Sequence, residues 1–444
     1  MCPFGDTSPD EAHAAPELLT GIAPGTLADT RHHARRGLPS GSAMTLRPAA
    51  LFSALPFFVA FVACPLAVLA GKLAGQEELF ERFSPWGLAP WAGLSGLALG
   101  VLLLRLARDR ARRKLPPWPV AALGLILAGA AWLALITAAP HLAEAVELAP
   151  LLDELRLPAL ALFALLWATS FGAPERSSLA HAGAALGALV VLDFLLTAIM
   201  ARSLVLGGGY LFGGVAAPAD LLAFLLCLAL AATLDDEPAS GHPRLARWLI
   251  LAGLFATFSR PGLAAGALIC LTLERGPLRH RLALAIGCAL AAWMTLALPL
   301  PHLDGGDELG LPWHLAATME ALAQEPWGYL KGLPLDVPLA LAMPDFQGLL
   351  WDDESQGLPV SVFDIPSSGL RLLAAWGAGG PLAVLAAAGC CALRGGKRFG
   401  LGLLAALIVC AALTPVLHTP ATATALALAL ASAARRHPPE ADPT

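Results

Sequence analysis

The sequence predicts an all-α, polytopic membrane protein with about twelve transmembrane helices and one long external loop between helices nine and ten. Hydrophobic residues make up 57% of the 444 residues and charged residues only 14%. A soluble domain usually carries about 25% charged residues, so most of this surface is expected to face lipid. The mean hydropathy of +0.68 agrees with that expectation.

The apolar residues occur in runs close to the ~20 residues that cross a bilayer. The pair at 246–258 and 261–274 is short, and one long tilted helix is the alternative there. The predicted spans are 48–71, 86–107, 117–139, 156–174, 178–201, 213–234, 246–258, 261–274, 281–300, 368–393, 399–416 and 418–434.

Charge decides between the two alternatives for residues 246–274. Lys and Arg are enriched in cytoplasmic loops, and basic clusters flank this segment at 244–247 and at 275–281. The segment must therefore cross an even number of times, with Pro261 supplying the break between two short helices. Both termini are then predicted to be cytoplasmic.

The chain divides into segments of different character. Residues 1–43 are rich in Gly, Pro, Ser and Ala and are predicted to be a disordered extension; Met44 is an alternative start, which would leave them untranslated. The remaining segments are 44–300 with spans one to nine, 301–367 as an extracytoplasmic (periplasmic) loop, 368–434 with spans ten to twelve, and 435–444 as a cytoplasmic tail.

The external loop at 301–367 is strongly acidic, with eleven Asp and Glu residues against one base, Lys331. A loop of this length in a compact membrane protein usually has a function. Within it, residues 313–324 are predicted to form a short amphipathic helix.

Several classes of site are not expected. The chain has no basic stripe with interleaved aromatic residues, so we expect no nucleic-acid partner. Its eight cysteines form no CxxC pair, and none pairs with a histidine at metal-ligand spacing. We therefore expect no metal and no cofactor, and interpret the cysteines as small apolar residues on helices.

Two ionisable residues within the apolar runs are candidates for function. Asp193 lies in the middle of span five, a depth at which a carboxylate is costly and usually faces a cavity or a partner; a protonated, hydrogen-bonded structural residue is the alternative. Arg260 lies at the outer end of two short helices, between Ser259 and Pro261. A guanidinium beside a helix N-terminus suits phosphate oxygens, although an arginine reaching lipid headgroups is also possible.

Four stretches, in order, resemble the O-antigen ligase and O-antigen polymerase family of membrane proteins. The segment around Ser259-Arg260-Pro261-Gly262 resembles the family's "SRG" helix pair. The others are 208–221, similar to the glycine-rich entry to a helix, 312–328, similar to the opening of the external loop, and 366–380, similar to the start of the helix after the loop.

The resemblance implies a metal-independent glycosyltransferase in the bacterial inner membrane. Its donor would be an undecaprenyl-diphosphate-linked glycan and its acceptor a lipid or another glycan, with membrane lipids around it. Cationic groups at the outer face would stabilise the leaving diphosphate, and a base on the loop would take the acceptor's proton. By this resemblance Arg260 is assigned to catalysis and to substrate binding, and Arg371 to substrate binding. Lys331, the one cation of the loop, and Asp193, within span five, complete the candidate substrate-binding set.

The sequence departs from the family pattern at the expected base. Pro366 and Ser367 stand where the family has His-Asn, so His314 on the predicted loop helix is the substitute candidate. This departure leaves open a transferase with a relocated base, a polymerase-like enzyme and a non-catalytic member in envelope polysaccharide assembly. A multi-pass transporter is the main alternative from another class, because twelve spans and a buried Asp193 also suit one.

Overall fold

The described part of the chain is mostly α-helical and contains no strands, as predicted for an all-α fold. A computed structural model describes residues 48–67, 89–108, 123–124, 127–129, 131–132, 154–201, 219–234, 241–297, 310–335, 339, 362, 365–394 and 397–434. The predicted extension 1–43, the tail 435–444, most of span three and most of the acidic loop lie outside these residues.

Each predicted span that the structure describes in full or in large part contains an α-helix, and α1 continues through a π-helical turn at Val59–Ala63. In chain order the helices are α1 (Pro48–Phe58), α2 (Ala89–Arg108), α3 (Arg156–Phe171), α4 (Arg176–Ala201), α5 (Ala219–Ala232), α6 (Gly241–Thr257), α7 (Arg260–Leu273), α8 (Leu278–Ala297), α9 (Gly310–Gln324), α10 (Gly328–Lys331), α11 (Ser368–Trp376), α12 (Gly379–Arg394), α13 (Lys397–Leu413) and α14 (Pro420–Ala434).

Helix length alone gives limited support for membrane crossing. Among the described residues, the stretch Arg176–Leu195 is the one both long and apolar enough to cross a bilayer. Shorter apolar stretches, of 10–17 residues, occur in most of the other helices.

The segment from α6 to α7 folds back on itself, as the charge pattern predicts. The Arg247 guanidinium, near the start of α6, forms an ion pair with Glu274, at the end of α7. These residues are 27 apart in sequence, and a single straight helix would separate them by about 40 Å. The chain therefore turns near Phe258 and Ser259 and returns.

Predicted span ten consists of two helices rather than one. Gly377 has φ +60 and separates α11 from α12. A Cβ at Gly377 would lie 2.3 Å from the Leu330 carbonyl oxygen, and the Leu333 amide donates to the Ala374 carbonyl at 2.7 Å. Backbone from the loop thus caps the end of α11, an interaction that hydrophobic periodicity cannot reveal.

Basic residues from several helices gather at one end of the bundle. Here Arg176, at the start of α4, lies 4.8 Å from the ring centroid of Phe399, near the start of α13. The end of α12 meets the same point, because a Cβ on Gly400 would lie 2.3 Å from the Ala392 carbonyl oxygen. We call this end, which also holds the Arg247–Glu274 pair, the basic end.

At the opposite end, α9 and α10 pack on α11 and form a cap, so we call it the cap end. The cap has its own apolar core, separate from the main core between the bundle helices. Its buried residues are Ala317, Leu322, Leu333, Leu335, Leu339, Val362, Ile365, Leu370, Ala374 and Ala375.

Neighbouring helices run in defined relative directions. Helices α4 and α6 are parallel, because Gly187 contacts the Leu249 backbone at the middle of both helices and, seven residues further along α4, Phe194 lies 5.8 Å from Phe258 just after α6. Helices α1 and α3 are joined by the Trp167 indole, which donates to the Ser53 carbonyl at 3.1 Å.

The close approach of α4 and α6 yields a test of packing. A Cβ on Gly187 would lie 2.3 Å from the Leu249 carbonyl oxygen, so we expect Gly187→Ala to lower the unfolding free energy by about 1–3 kcal/mol. Gly96→Ala is the control, because nothing lies within 4 Å of the added Cβ and alanine favours a helix by up to about 1 kcal/mol. Thermal unfolding of the purified chain measures both, and equal melting temperatures would contradict the close approach.

Candidate functional site

The start of α11 is fixed to the end of α13 by serine side chains and backbone. Ser367 is the N-cap of α11, accepting from the Leu370 amide at 3.2 Å, and its hydroxyl donates to the Ala411 carbonyl at 3.2 Å. The Ser368 amide donates to the Thr414 carbonyl at 3.0 Å. Ser367 therefore serves as a helix cap.

A buried polar cluster joins three helices at the cap end. Glu154 precedes α3, and its Oε2 accepts from Arg371 Nε at 2.9 Å and lies 2.8 Å from Arg371 Nη2. Its Oε1 accepts from Trp376 Nε1 at 3.0 Å and lies 3.1 Å from His418 Nε2. The polar cluster is defined as Glu154, Ser368, Arg371, Trp376 and His418.

Ser368 extends the cluster to the connection between α13 and α14. Its hydroxyl oxygen accepts from the Leu417 amide at 2.9 Å and lies 3.4 Å from His418 Nδ1. Because a carboxylate only accepts, His418 Nε2 donates to Glu154. Ser368 and Glu154 are fully buried, so this chain of hydrogen bonds holds helices together rather than facing solvent.

The charges of the cluster favour the ionised carboxylate. Burial alone raises the pKa of Glu154, but the hydrogen bond and charge of His418, the charge of Arg371 and the Trp376 hydrogen bond outweigh it. Together they lower the pKa of Glu154 from 4.5 to about 2. A buried carboxylate with donors on both oxygens is the arrangement that keeps such a charge inside a protein.

An apolar groove opens beside the polar cluster. It is a cavity of about 150 Å³ between α11, α12 and α13, and Gly369 and Leu417 in its wall are sequence neighbours of Ser368 and His418. Such a groove suits an aliphatic chain rather than a sugar or a phosphate. The lining residues are Gly369, Leu372, Pro381, Val384, Leu385, Leu407, Ile408, Ala411, Ala412 and Leu417.

Arg260 lies at the turn of the α6–α7 hairpin. Ser259 caps α7 by accepting from the Gly262 amide at 3.1 Å, and Phe258 adopts φ +52 to make the turn. Arg260 is exposed, whereas Ser259 and Pro261 on either side are buried. Since α7 ends at the basic end, Arg260, the first residue of this helix, lies toward the cap end.

Asp193 is buried in α4, 3% exposed, as the sequence predicts for an ionisable residue in an apolar helix. The ring of the next residue, Phe194, lies 5.8 Å from the ring of Phe258 at the hairpin turn, centroid to centroid. Asp193 therefore lies at the level of that turn, toward the cap end, and at the same level as Arg260.

The two predicted loop residues lie in the cap. His314 is 1% exposed on the inner face of α9. Lys331 pairs with Glu325, its Nζ 2.9 Å from the carboxylate. Of the five predicted site residues, only Arg371 belongs to the polar cluster.

Four members of the cluster were absent from the predicted set. Glu154 reads as one of several acids before span four, Ser368 and Trp376 as residues of span ten, and His418 as the first residue of span twelve. The available signal was His418 itself, because a histidine in a short link between two apolar helices requires a polar partner.

Comparison of the chain with known protein families, curated proteins and solved structures gives no match. Among the described residues, no group of three or more His, Cys, Asp or Glu side chains is arranged to hold a metal ion.

Proposed function

We propose that this chain is an integral inner-membrane protein of the O-antigen ligase-like type that handles a polyprenyl-diphosphate-linked glycan at the extracytoplasmic face. In the proposal the basic end is cytoplasmic, the cap end is extracytoplasmic, and about twelve spans leave both termini in the cytoplasm. The observation that carries it is the apolar groove opening beside the polar cluster at the cap end.

Membrane residence is supported by the outer surface of the bundle. Large apolar side chains are exposed along several helices, a pattern that soluble proteins avoid. Helix α8 presents a continuous apolar stripe at helical spacing, made of Leu282, Ile286, Leu290, Trp293 and Met294.

The helix directions and the charges also support the topology. The starts of α3, α11 and α14 meet at the cap end, as alternating spans four, ten and twelve require. The ends that carry Arg176, Arg247 and Arg394 lie opposite, where the positive-inside rule expects them.

The chemistry of the proposal divides between two regions of the cap end. The groove would hold part of the polyprenyl tail, and Arg260 would contact the diphosphate as the glycosidic bond to it breaks. Helix α7 packs against α13, which forms one wall of the groove. Roles of Arg371, Lys331, Asp193 and His314 in binding or proton transfer stay predictions.

Replacement of Arg260 tests the proposal. We expect Arg260→Ala, in the full chain and in cells that depend on it, to reduce surface glycan by about 100-fold or more and to accumulate the polyprenyl-linked precursor, because a charged donor at the leaving group is lost. Arg260→Lys should retain part of the activity, since the charge stays but the planar fork is lost.

Arg275→Ala is the matched control, an exposed arginine after the opposite end of α7. Membrane abundance of each variant is measured by immunoblot. If Arg260→Ala cells carry a normal amount of surface glycan while the variant protein reaches its normal abundance in the membrane, the transferase role is contradicted. A non-catalytic role in polysaccharide assembly would then remain.

A solute transporter is the second candidate, and buried Asp193 is the observation in its favour. Its place at the level of the hairpin turn, rather than at the middle of α4, favours the transferase. Solute uptake by proteoliposomes that is lost in Asp193→Asn would reverse this preference.

A further inference from the structure

Helix α9 buries two polar side chains and exposes mostly apolar ones. Its buried face includes His314 and Thr318, whereas the exposed polar residue Gln324 lies at its C-terminal end and donates to the half-buried Glu320 at 3.1 Å. A surface helix in water shows the reverse distribution. The buried face is His314, Ala317, Thr318 and Leu322, and the exposed apolar face is Pro312, Leu315, Met319 and Ala323, with Gln324 exposed beyond it at the helix end.

The turn that follows α9 continues this apolar face. Trp327 is 75% exposed, and Tyr329 and Leu330 are exposed beside it. The turn is rigid, because Trp327 adopts φ +64 and a Cβ on Gly328 would lie 2.4 Å from the Leu322 carbonyl oxygen. The Tyr329 hydroxyl donates to the Met319 carbonyl at 3.3 Å, which joins the turn to the exposed face of α9.

Backbone contacts fix the height of this turn relative to the bundle. The Ala378 amide donates to the Tyr329 carbonyl at 2.7 Å. Ala378 immediately precedes α12, whose Leu382 is 65% exposed near the top of the lipid-facing surface. The exposed residues of the turn therefore lie where α12 enters the proposed bilayer, and the two apolar surfaces are continuous.

We propose that the exposed face of α9 and the Trp327–Leu330 turn lie in the outer leaflet, at the boundary between headgroups and acyl chains. The occupant of this surface is the phospholipid of the membrane that holds the chain, and this inference rests on the membrane residence proposed above. Trp and Tyr favour that boundary, where a ring meets hydrocarbon and its polar atom meets water.

The charge of the turn indicates which lipid is needed. Lys331, beside the turn, is paired with Glu325, so the surface carries no excess of basic residues. Binding should therefore depend on apolar insertion and not on anionic lipid. The insertion places the cap directly over the membrane beside the groove, whose wall includes Leu385 of α12.

Spin labels on the full chain in phosphatidylcholine nanodiscs test this placement. Single cysteines replace Leu315, Trp327 and Leu330 in a background with Cys2→Ser, Cys390→Ala and Cys391→Ala, which leaves buried cysteines among the described residues. Collisions with oxygen, which concentrates in lipid, should exceed collisions with a water-soluble nickel chelate at all three positions. Gln324→Cys, exposed but polar in the native chain, should show the opposite ratio.

A reference label separates this inference from the proposed function. Leu290→Cys, on the apolar stripe of α8, reports whether the bundle is in the bilayer. A lipid-exposed label at 290 with water-exposed labels at 315 and 327 would overturn the placement of the cap in the outer leaflet but not membrane residence. The exposed face of α9 and the Trp327–Leu330 turn would then be a surface for a protein partner. Water exposure at 290 as well would overturn membrane residence itself. Adding anionic lipid should leave the ratios unchanged.

Discussion

Replacing Glu154 with alanine is expected to lower the unfolding free energy by about 3–5 kcal/mol, the cost of removing one partner from a buried ion pair. The Arg371 guanidinium is 5% exposed and would keep its charge after losing the Glu154 carboxylate. The Trp376 indole N–H and His418 Nε2 would lose the same acceptor. The helices joined by the cluster, α3, α11 and α14, should then separate first.

Thermal unfolding of the purified chain in detergent measures this change. Glu175→Ala is the control, since Glu175 is an exposed carboxylate before α4 and its removal should change stability by about 0.5 kcal/mol or less. The double variant Glu154→Leu/Arg371→Met should be more stable than Glu154→Leu alone, because it removes both charges of the buried pair. A single variant as stable as wild type would show that the carboxylate does not hold the cluster.

The sequence predicts those features that depend on local patterns. The turn between α6 and α7 is one, because two basic clusters that both belong in the cytoplasm require the chain to return between them. The Arg247–Glu274 ion pair is the physical result of that return. Buried Asp193 is another, since an acid within an apolar helix has few stable positions other than the interior.

The polar cluster could not be predicted in the same way. Glu154 and Arg371 are 217 residues apart in sequence, and Glu154 and His418 are 264 apart. No hydrophobic periodicity connects such residues. Each has an ordinary local interpretation: Glu154 as a loop acid, Arg371 as a cation near the start of a helix, and His418 as the first residue of span twelve. Only the packing of α3, α11 and α14 brings them together.

The orientation of α9 shows a second limit. Its sequence is amphipathic, and the prediction of a loop base on it assumes that polar residues face water. The structure instead buries His314 and exposes Leu315 and Met319. If lipid covers this face, the usual rule for a surface helix reverses, and the sequence alone does not say which solvent each face meets.

Acid should weaken the fold through Glu154 over a defined range of pH. The pKa of this carboxyl is lowered from 4.5 to about 2, so the folded chain binds the proton more weakly than the unfolded chain. The resulting stabilisation is fully present above about pH 4.5 and is lost as the pH falls towards 2. At about 1.4 kcal/mol per pKa unit, it amounts to about 3 kcal/mol.

Because other carboxylates titrate in the same range, the informative quantity is a difference between variants. The melting temperature of wild type minus that of Glu154→Gln should be constant from pH 7 to 5 and should shrink steadily below about pH 4.5. Glutamine keeps the shape of the side chain but carries no charge at any pH, so the difference between the two proteins follows the ionisation of Glu154. A difference that does not change between pH 5 and 3 would mean that the ion pairs of Arg371 and His418 contribute nothing to stability, and that the hydrogen bonds alone join α3 to α11 and α14.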